Sequence, residues 1–475
     1  MGRSVSRQGI PQGRGKSDQT RTIWGKGGTC LTGFAAKLDE LRKGFVCACG
    51  QRHQLPIADI LIEQGIIEGI PVRLKKLGLS GPVHLVADTH TMSAAGDSLE
   101  YALNRQGMCT TKTVYATQEG DLVPDEAALG RLVLETSPSV EVLVAVGSGT
   151  ITDLVRLAAY KMGRPFVSVP TAPSMDGYAS AVAPLIIGGF KRTFNARPPL
   201  AIYADLDVLC QAPLEMISAG FGDLIGKFTA RADWQLGHIL HGEPYCEASL
   251  DLMATALEQC TARPRGLLER DPRLIQKLME GLTLSGIAII MAGNSRPASG
   301  SEHILAHYWE MRSLEEQAHY HLHGTKVGVA TPLILRLYGQ MLALDPCMID
   351  ESALMARHLN PDVTERWIRE HFGARATEIL VEAPGKRVQW EARKDHIMLI
   401  RSHWDEIQRA LVWLPSGKAV IAMLEEAGAP AEPLAIGLPP SWVEDALLYA
   451  RMLRDRYTIL DVAAELGVKP HIGVE

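Results

Sequence analysis

Long apolar runs, long basic runs and paired cysteine motifs are all missing from this sequence of 475 residues. Since a membrane-spanning helix needs roughly 18 apolar residues in succession, we expect no membrane span. A surface for nucleic-acid phosphates needs clustered basic residues, and with a net charge of -6 we expect no nucleic-acid partner. Residues 1–28 are rich in Gly, Ser, Arg and Gln and lack the apolar segment of a secretory signal. They predict a disordered tail on a cytoplasmic protein.

The eight cysteines are scattered and include no CxxC pair. Because zinc knuckles and redox motifs normally use that spacing, we expect reduced thiols without a metal. One alternative stays open at Cys47 and Cys49, which are separated by a single residue and could bind a metal together with His53. No partner pair for them is evident in the sequence.

Short β-rich runs alternate with amphipathic stretches through much of the first half of the chain. Runs with strand character lie at 83–88, 111–116, 141–146, 165–169 and 200–204. The run at 141–146 is continuous and β-rich, which is typical of a buried parallel strand. Such alternation predicts a parallel sheet with helices on both faces, and the carboxyl ends of its strands share one edge.

Beyond about residue 211 the strand signal fades and helical patterns continue to the C-terminal region. We therefore predict an α/β fold with an N-terminal Rossmann-like parallel-sheet domain and an all-α C-terminal domain. The predicted boundaries are 1–28 for the tail, 29–210 for the nucleotide-binding domain, and 211–475 for a helical domain that binds metal and substrate.

The segment from Gly147 to Asp153 joins the buried strand at 141–146 to a helix. Its two glycines let the backbone approach a ligand, and the helix N-terminus offers N–H groups to a pyrophosphate. The third glycine of the dinucleotide fingerprint is missing. A tight turn capped by Thr150 or Thr152 is therefore the alternative interpretation.

Two further strand ends carry candidate ligands. The loop at 170–177 follows the run at 165–169 and contains small hydroxyl residues together with Asp176. These side chains suit cofactor oxygens and substrate hydroxyls, or else they form an ordinary turn. Asp88 ends another strand, where a carboxylate can hold ribose hydroxyls or cap a helix.

Three segments of the helical half carry candidate metal ligands. Asp223 follows a glycine-rich stretch and could instead cap a helix. His303 and His307 lie one turn apart on a helix, and His323 precedes a glycine-spaced apolar helix. Each histidine alone is consistent with an ordinary surface residue. Asp223, His303 and His323 together are a donor set for zinc, nickel or iron with a position left for substrate, where the metal would polarise a carbonyl oxygen.

Five motifs occur in a fixed order, namely VGSGTITD, SVPTAPSMDGYAS, AGFGDLIGK, NSRPASGSEHILAHYWEM and LHGTKVGVAT. Over about residues 44–468 the chain resembles the bacterial form of the sn-glycerol-1-phosphate dehydrogenase family. That family belongs to the dehydroquinate-synthase-like and metal-dependent alcohol dehydrogenase superfamily. The resemblance implies reduction of dihydroxyacetone phosphate to sn-glycerol 1-phosphate with NADH or NADPH, at one divalent metal ion that is zinc or nickel, with iron as a third candidate.

The resemblance also implies a set of residues for each role. The dinucleotide would be bound by Asp88, Gly149, Thr150, Ile151, Thr152, Asp153, Thr171, Ala172, Pro173, Ser174 and Ser180. The metal would be held by the catalytic residues Asp223, His303 and His323, and substrate would contact Asp176, Asp223 and His307. By residue type and proximity to the motifs, Lys191, Arg192 and Arg296 are cationic candidates for the substrate phosphate, although such residues are more often surface or structural charges.

Three other functions stay open at this point. A lyase of the dehydroquinate synthase type would close a carbocycle and use NAD without net turnover. A polyol dehydrogenase would act on an unphosphorylated substrate such as glycerol. A non-catalytic nucleotide-binding protein would need no metal. We also expect a homodimer or a larger homo-oligomer.

Overall fold

The computed structural model of the chain describes residues 33–117, 122–188, 190–316 and 321–470. The strands are β1 Phe45–Val46, β2 Arg52–His53, β3 Asp59–Glu63, β4 Val83–Asp88, β5 Thr110–Tyr115, β6 Val142–Val146, β7 Phe166–Val169, β8 Val182–Ile187, β9 Phe190–Asn195 and β10 Ala201–Asp205. Six of them form one parallel sheet in the order β3-β10-β7-β6-β4-β5. The pairs β1–β2 and β8–β9 are antiparallel hairpins beside it.

Helices alternate with the sheet strands and then take over. The first set is α1 Phe34–Lys43, α2 Ile70–Lys76, α3 Thr89–Thr91, α4 Asp97–Arg105, α5 Glu126–Glu135 and α6 Gly149–Lys161. The second set is α7 Leu206–Leu209, α8 Leu214–Ile225, α9 Lys227–His241, α10 Glu247–Thr261, α11 Arg265–Leu268, α12 Pro272–Ala292, α13 Ser301–Glu316, α14 His323–Leu342, α15 Glu351–Ala356, α16 Pro361–Phe372, α17 Ala376–Glu382, α18 Trp390–Ser402, α19 Trp404–Ala410, α20 Gly417–Glu426, α21 Pro440–Tyr449 and α22 Ile459–Glu465.

Strand β6 lies inside the sheet and is buried on both faces. Val142, Val144 and Val146 point into the core that α2 and α4 cover. Leu143 and Ala145 point into the opposite core, which α5 and α6 cover. Because alternate residues of a strand face opposite sides, a strand with helices on both faces must be apolar throughout. This packing explains the continuous apolar run of the sequence at this strand.

The order of the strands reverses between β4 and β6. From β4 the chain passes to β5 on one side, and it then returns to β6 on the other side of β4. All these strands are parallel, so their carboxyl ends lie along the same edge. Ligands of doubly wound sheets bind in the crevice at such a reversal. The ends of β4 and β6 carry Asp88 and the loop after Val146, respectively.

The predicted α/β sheet is confirmed. All five predicted strands agree with β4, β5, β6, β7 and β10 within one residue at each end. The edge strand β3 and the hairpin β8–β9 were not predicted, because both lack a continuous buried run. The predicted tail of 1–28 lies outside the described residues.

The C-terminal part of the chain is helical, as predicted. In residues 206–316 and 321–470 every regular element is a helix of some kind. The last sheet strand ends at Asp205, five residues before the predicted domain boundary, and the boundary itself stays a prediction. Among the described helices, α12 alone is long and apolar enough to cross a membrane, but 72% of its most apolar stretch is buried inside the protein. Its composition is therefore that of a core helix packed against α10 and α8.

Helices α8 and α14 pack with almost no space between their backbones. A Cβ atom added at Gly324 would overlap the carbonyl oxygen of Ala219, and one added at Gly222 would overlap the carbonyl oxygen of Gly324. A Cβ atom at Gly328 would lie 2.9 Å from the Cα atom of Gly222. The glycines therefore set the distance between two helices that each carry a candidate metal ligand, Asp223 and His323.

Candidate active site

Asp223 lies near the carboxyl end of α8, with only 1% of its surface exposed. The alternative that it caps a helix is wrong, since α8 begins nine residues earlier at Leu214. Its Oδ1 atom accepts a hydrogen bond of 2.8 Å from Nζ of Lys227, and its Oδ2 atom accepts one of 2.9 Å from the backbone N–H of Asp176. Burial alone would raise the pKa of Asp223, but Lys227 and His303 outweigh it and hold that pKa well below its usual range.

Lys227 joins two acidic side chains that lie far apart in the sequence. Its buried ammonium lies 2.8 Å from Oδ2 of Asp176 and 2.8 Å from Oδ1 of Asp223. Asp176 Oδ2 also accepts a hydrogen bond of 2.8 Å from the Ser285 hydroxyl on α12. Burial opposes the charge of Lys227, yet the two carboxylates raise its pKa above the usual range. The loop after β7 is thereby fixed to the helical half of the protein by ionic hydrogen bonds.

His303 lies on α13 and is almost fully buried. Its Nδ1 atom is 2.7 Å from Oε1 of Glu302, and its Nε2 atom is 3.5 Å from Oδ1 of Asp223. Glu302 is held in turn by the Thr229 hydroxyl at 2.6 Å and by the Gly300 N–H at 2.7 Å. Burial lowers the pKa of His303, but the hydrogen bonds with both carboxylates raise it overall. A carboxylate on Nδ1 fixes the ring so that Nε2 is directed at Asp223.

His307 and His323 share one buried carboxylate, that of Glu310. Their Nδ1 atoms lie 3.1 Å and 2.8 Å from the two oxygens of Glu310, respectively. The two rings are stacked with centroids 5.2 Å apart, and the ring of His303 is 5.2 Å from that of His323. The structure thus brings together all three predicted metal ligands and both remaining substrate candidates, Asp176 and His307.

Among the described residues of this cluster, one group of three has its ligand atoms close enough together to hold a metal ion as it stands, and it is not the predicted set. The ligand atoms of His307, Glu310 and His323 all lie within 4.8 Å of one another. The predicted set instead joins His323 to His303 and Asp223. Imidazole and carboxylate donors suit zinc, nickel and iron, so the residues present fit a divalent metal. Metal-binding histidines usually have one ring nitrogen held by a carboxylate that is not itself a ligand. Glu310 contacts Nδ1 of both His307 and His323 in this way, so we interpret it as a residue that orients His323 and not as a ligand.

Replacing Glu310 by glutamine tests this support. We expect a metal affinity about 10- to 100-fold weaker, because an amide keeps the size of the side chain but loses the charge that holds both rings. Titration against a competing chelator measures the affinity. Glu315→Gln on the same helix is the matched control, since Glu315 is exposed and pairs only with arginines at 3.5 Å and 3.7 Å among the contacts described for it. Equal affinities in both variants would contradict the orienting role.

The predicted cofactor loop lies at the start of α6. A Cβ atom at Gly147 would lie 2.7 Å from the side chain of Ile151, so the turn itself requires this glycine. A Cβ atom at Gly149 would meet Met175 at an ordinary distance of 3.5 Å. The protein's own packing therefore does not require Gly149, and close approach of a ligand to this N-terminus is a reason to have glycine there. Thr152 is buried, and its hydroxyl has no hydrogen-bond partner within the described structure.

Asp153 supports the second loop through a buried arginine. Its carboxylate pairs with Arg156, whose guanidinium also donates to the carbonyl oxygens of Gly177, Tyr178 and Val182. Burial lowers the pKa of Arg156, and Asp153 counteracts that effect. The interpretation of Asp153 as a cofactor contact stays a prediction, and the hydrogen bonds donated by its partner Arg156 connect α6 to residues 177–182.

The remaining predicted cofactor residues lie near these loops. Thr171, Ala172 and Ser174 are buried after β7, and the carbonyl of Pro173 lies so close to Gly220 of α8 that a Cβ atom there would overlap it. Ser180 forms a hydroxyl turn, in which its Oγ atom accepts a hydrogen bond of 3.0 Å from the N–H of Val182. Asp88 caps α3 through a capping box with Thr91. These turn and cap contacts are compatible with ligand binding and do not require it.

Comparison with known proteins connects this geometry to a family. Residues 61–213 match the family model described as iron-containing alcohol dehydrogenase. Glycerol-1-phosphate dehydrogenase (NAD(P)+) of Geobacillus thermodenitrificans is 39% identical over 380 residues, which cover 80% of this chain and 85% of that protein. The enzyme of the same name from Geobacillus stearothermophilus is 37% identical over 426 residues, which cover 88% of this chain and 96% of that protein. The chain belongs to the glycerol-1-phosphate dehydrogenase family.

Solved structures confirm the fold of this family member. An iron-containing alcohol dehydrogenase of Corynebacterium glutamicum aligns with a TM-score of 0.57 at 13% identity and covers 88% of this chain and 97% of its own. A probable glycerol dehydrogenase of Sinorhizobium meliloti aligns with a TM-score of 0.55 at 17% identity and covers 87% of this chain and 95% of its own. At such identities the likeness extends to the fold alone.

Several residues of the site were missed in the sequence of this family member. Lys227, Ser285, Glu302 and Glu310 all contact predicted site residues. Helical spacing was a usable signal for two of them, since Lys227 follows Asp223 by four positions and Glu310 follows His303 by seven. No helical spacing pointed to Glu302, and Ser285 contacts Asp176 only because the fold brings α12 beside the loop after β7.

Neither of the two described candidates for the substrate phosphate, Arg192 and Arg296, has a described contact with the cluster. Arg296 is buried, pairs with Glu243, and donates a hydrogen bond of 2.8 Å to the carbonyl oxygen of Tyr457. These contacts give Arg296 a structural role, so we do not retain it as a phosphate contact. Arg192 is exposed on β9, and the side chain of Lys191 lies outside the described part of the chain.

Proposed function

We propose that the chain is a glycerol-1-phosphate dehydrogenase that reversibly reduces dihydroxyacetone phosphate to sn-glycerol 1-phosphate with NADH or NADPH. The observation that carries this proposal is the position of the loop after β7. That loop packs against α8 through Pro173 and Gly220, and its Asp176 bonds both Asp223 and Lys227. A substrate beside Asp176 would therefore be close to the histidine cluster and to the sheet edge where a dinucleotide binds.

The proposed metal ligands are Asp223, His303 and His323, with zinc, nickel or iron as the ion. A divalent ion held there would supply Lewis acidity to the carbonyl oxygen of the substrate. Glu302 orients the ring of His303, and Glu310 orients the ring of His323. The site would therefore rearrange little when the metal ion binds. Asp176, held by Lys227, would orient the substrate hydroxyl that neighbours the carbonyl.

His307 is the proposed route for the proton that the new alkoxide takes up. About a third of its side chain is exposed, at 31%, so it connects the buried cluster to water. Its Nδ1 atom is held by Glu310, which orients the ring. The dinucleotide is proposed to bind across the α6 N-terminus and the ends of β4 and β7, using the predicted residues Asp88, Gly149, Thr150, Ile151, Thr152, Asp153, Thr171, Ala172, Pro173, Ser174 and Ser180.

The finer predictions from the sequence are kept as proposals. They are two domains with the boundary near residue 210, a small phosphorylated triose as the binding partner, a homodimer or larger homo-oligomer, and a cytoplasmic location. Light scattering in solution would test the oligomer, and a monomer would contradict it.

The decisive assay follows NADH and NADPH oxidation with dihydroxyacetone phosphate, using chelated protein reloaded with zinc, nickel or iron. We expect one NAD(P)H consumed per product molecule, with a rate at least about 100-fold above that of the chelated protein, because the metal is worth several kcal/mol at the carbonyl. The product should be inert to a dehydrogenase specific for sn-glycerol 3-phosphate.

Each alternative gives a different result in the same assay. A faster rate on dihydroxyacetone than on its phosphate would indicate a polyol dehydrogenase instead. Carbocycle formation from a phosphorylated sugar without net NAD(P)H consumption would indicate a lyase. Dinucleotide binding without turnover under any metal would indicate a non-catalytic protein.

A further inference from the structure

A second group of metal-type side chains lies outside the active site, where the β1–β2 hairpin meets α10. Cys47 and Cys49 lie in the hairpin turn, and His53 lies on β2 with only 3% of its surface exposed. Cys246 is the N-cap residue of α10 and is also buried. The sequence offered the first three residues without a fourth donor, and the fold supplies that donor from a position 193 residues after His53.

The four side chains converge at their donor atoms. The Nε2 atom of His53 lies 3.3 Å from Sγ of Cys49 and 3.3 Å from Sγ of Cys246, and the sulfurs of Cys47 and Cys246 are 3.8 Å apart. All four donor atoms lie within 4.8 Å of one another. A tetrahedron with zinc–sulfur bonds of about 2.3 Å and zinc–nitrogen bonds of about 2.0 Å has edges of about 3.8 Å between sulfurs and about 3.5 Å between sulfur and nitrogen. The three distances given above agree with those edges to within about 0.2 Å.

Local backbone structure aims the thiols at one point. In the hairpin the Cys47 N–H donates to the Gln51 carbonyl at 2.9 Å, and the Gly50 N–H donates to the Cys47 carbonyl at 3.0 Å. Gly50 has a φ of +83°, a conformation that lets the tight turn close between Cys49 and His53. On the other side, the Ser249 N–H lies 3.4 Å from Sγ of Cys246 and donates to it.

We propose that Cys47, Cys49, His53 and Cys246 bind one structural zinc ion. Three thiolates and one imidazole complete a tetrahedral shell, so no position is left for substrate, in contrast to the active site with its open position. Soft sulfur donors with one imidazole select zinc over the magnesium-like ions that prefer oxygen. The ion would join the hairpin near the start of the described chain to the helical half.

A disulfide between Cys47 and Cys246 is the main competing arrangement. It would use only two of the four residues and would leave unexplained why His53 lies equally close to Cys49 and Cys246. Ordinary thiol packing would explain the burial of Cys246, but it would not require an imidazole nitrogen between two sulfurs. Binding of one ion accounts for all four positions together.

Metal analysis of the purified full-length chain tests the proposal. Cys246→Ser should lose one zinc per chain relative to wild type, whereas His303→Ala in the active site should keep this zinc. Cys210→Ser is the control for loss of a thiol, because Cys210 is half-buried like Cys47 and Cys49 and lies outside the cluster. X-ray absorption on zinc-loaded His303→Ala should give a shell of sulfur neighbours at about 2.3 Å. Cobalt loading of the same variant should give thiolate-to-cobalt charge-transfer bands that the double variant His303→Ala, Cys246→Ser lacks.

The X-ray absorption shell and the presence of charge-transfer bands in His303→Ala itself do not depend on whether Cys246→Ser folds. The proposal is overturned if zinc-loaded His303→Ala shows only nitrogen and oxygen neighbours, or if it holds no zinc. It is likewise overturned if mass spectrometry of the protein, alkylated under native conditions, finds a Cys47–Cys246 disulfide. Because none of these readouts is turnover, a failed dehydrogenase assay leaves this test unaffected.

Discussion

Replacing His303 by alanine should lower kcat/KM with dihydroxyacetone phosphate by at least about 1000-fold, which corresponds to about 4 kcal/mol of transition-state stabilisation. The substitution removes a proposed metal ligand and leaves the buried carboxylates of Glu302 and Asp223 without their shared imidazole. Burying two carboxylates that have lost a cationic or metal partner lowers the stability of the folded protein. We therefore expect loss of active-site metal together with loss of turnover, measured by metal analysis and steady-state kinetics on one preparation.

His396→Ala is the matched control for that variant. His396 is half-buried, and its Nδ1 atom lies 2.7 Å from Oε1 of Glu465, so it makes the same kind of histidine–carboxylate pair away from the cluster. The control should keep its metal and stay within a few-fold of wild-type kcat/KM. If His303→Ala retained wild-type turnover, the assignment of the metal ligands would be wrong.

The sheet was readable from the sequence because its central strands are buried on both faces. In a chain with alternating strand and helix patterns, a short continuous apolar run such as that around Val144 indicates a strand buried on both faces. The edge strand β3 alternates between buried and partly exposed residues and ends in Glu63, so it gave a weak signal. Hairpin β8–β9 belongs to a separate small sheet, and the alternation that predicts crossovers does not extend to it.

The active site was readable only in part. Asp223, His303 and His323 were predicted as metal ligands from residue type and family resemblance, and the structure brings them close together. Lys227 and Glu310 were not found, because their importance depends on which carboxylates and rings their helices place nearby. The same limit explains Cys246, which is a lone cysteine in the sequence and becomes a candidate ligand only when α10 starts beside the hairpin. Sequence spacing identifies ligands within one element, whereas sites built from distant elements require the fold.

The second prediction with a large expected effect concerns the contact between α8 and α14. Gly324→Ala should destabilise the protein by about 3 kcal/mol, because the new methyl group would overlap the Ala219 carbonyl and lie 3.1 Å from Cβ of Asp223. The helices must separate to admit it, which moves His323 away from Asp223. We expect a midpoint of thermal unfolding lowered by several degrees and weaker metal binding in the same variant, measured by calorimetry and chelator titration.

Gly339→Ala provides the control on the same helix. Gly339 is exposed near the end of α14, and a Cβ atom there would have nothing within 4 Å. Alanine at this position should stabilise the helix by up to about 1 kcal/mol, since glycine is the poorer helix former. Opposite effects of the same substitution at the two positions would show that the close approach of α8 and α14, and not helix propensity, requires Gly324. Equal midpoints would mean that the two helices have room to accept the methyl group, and the glycine contact would then not fix the spacing of Asp223 and His323.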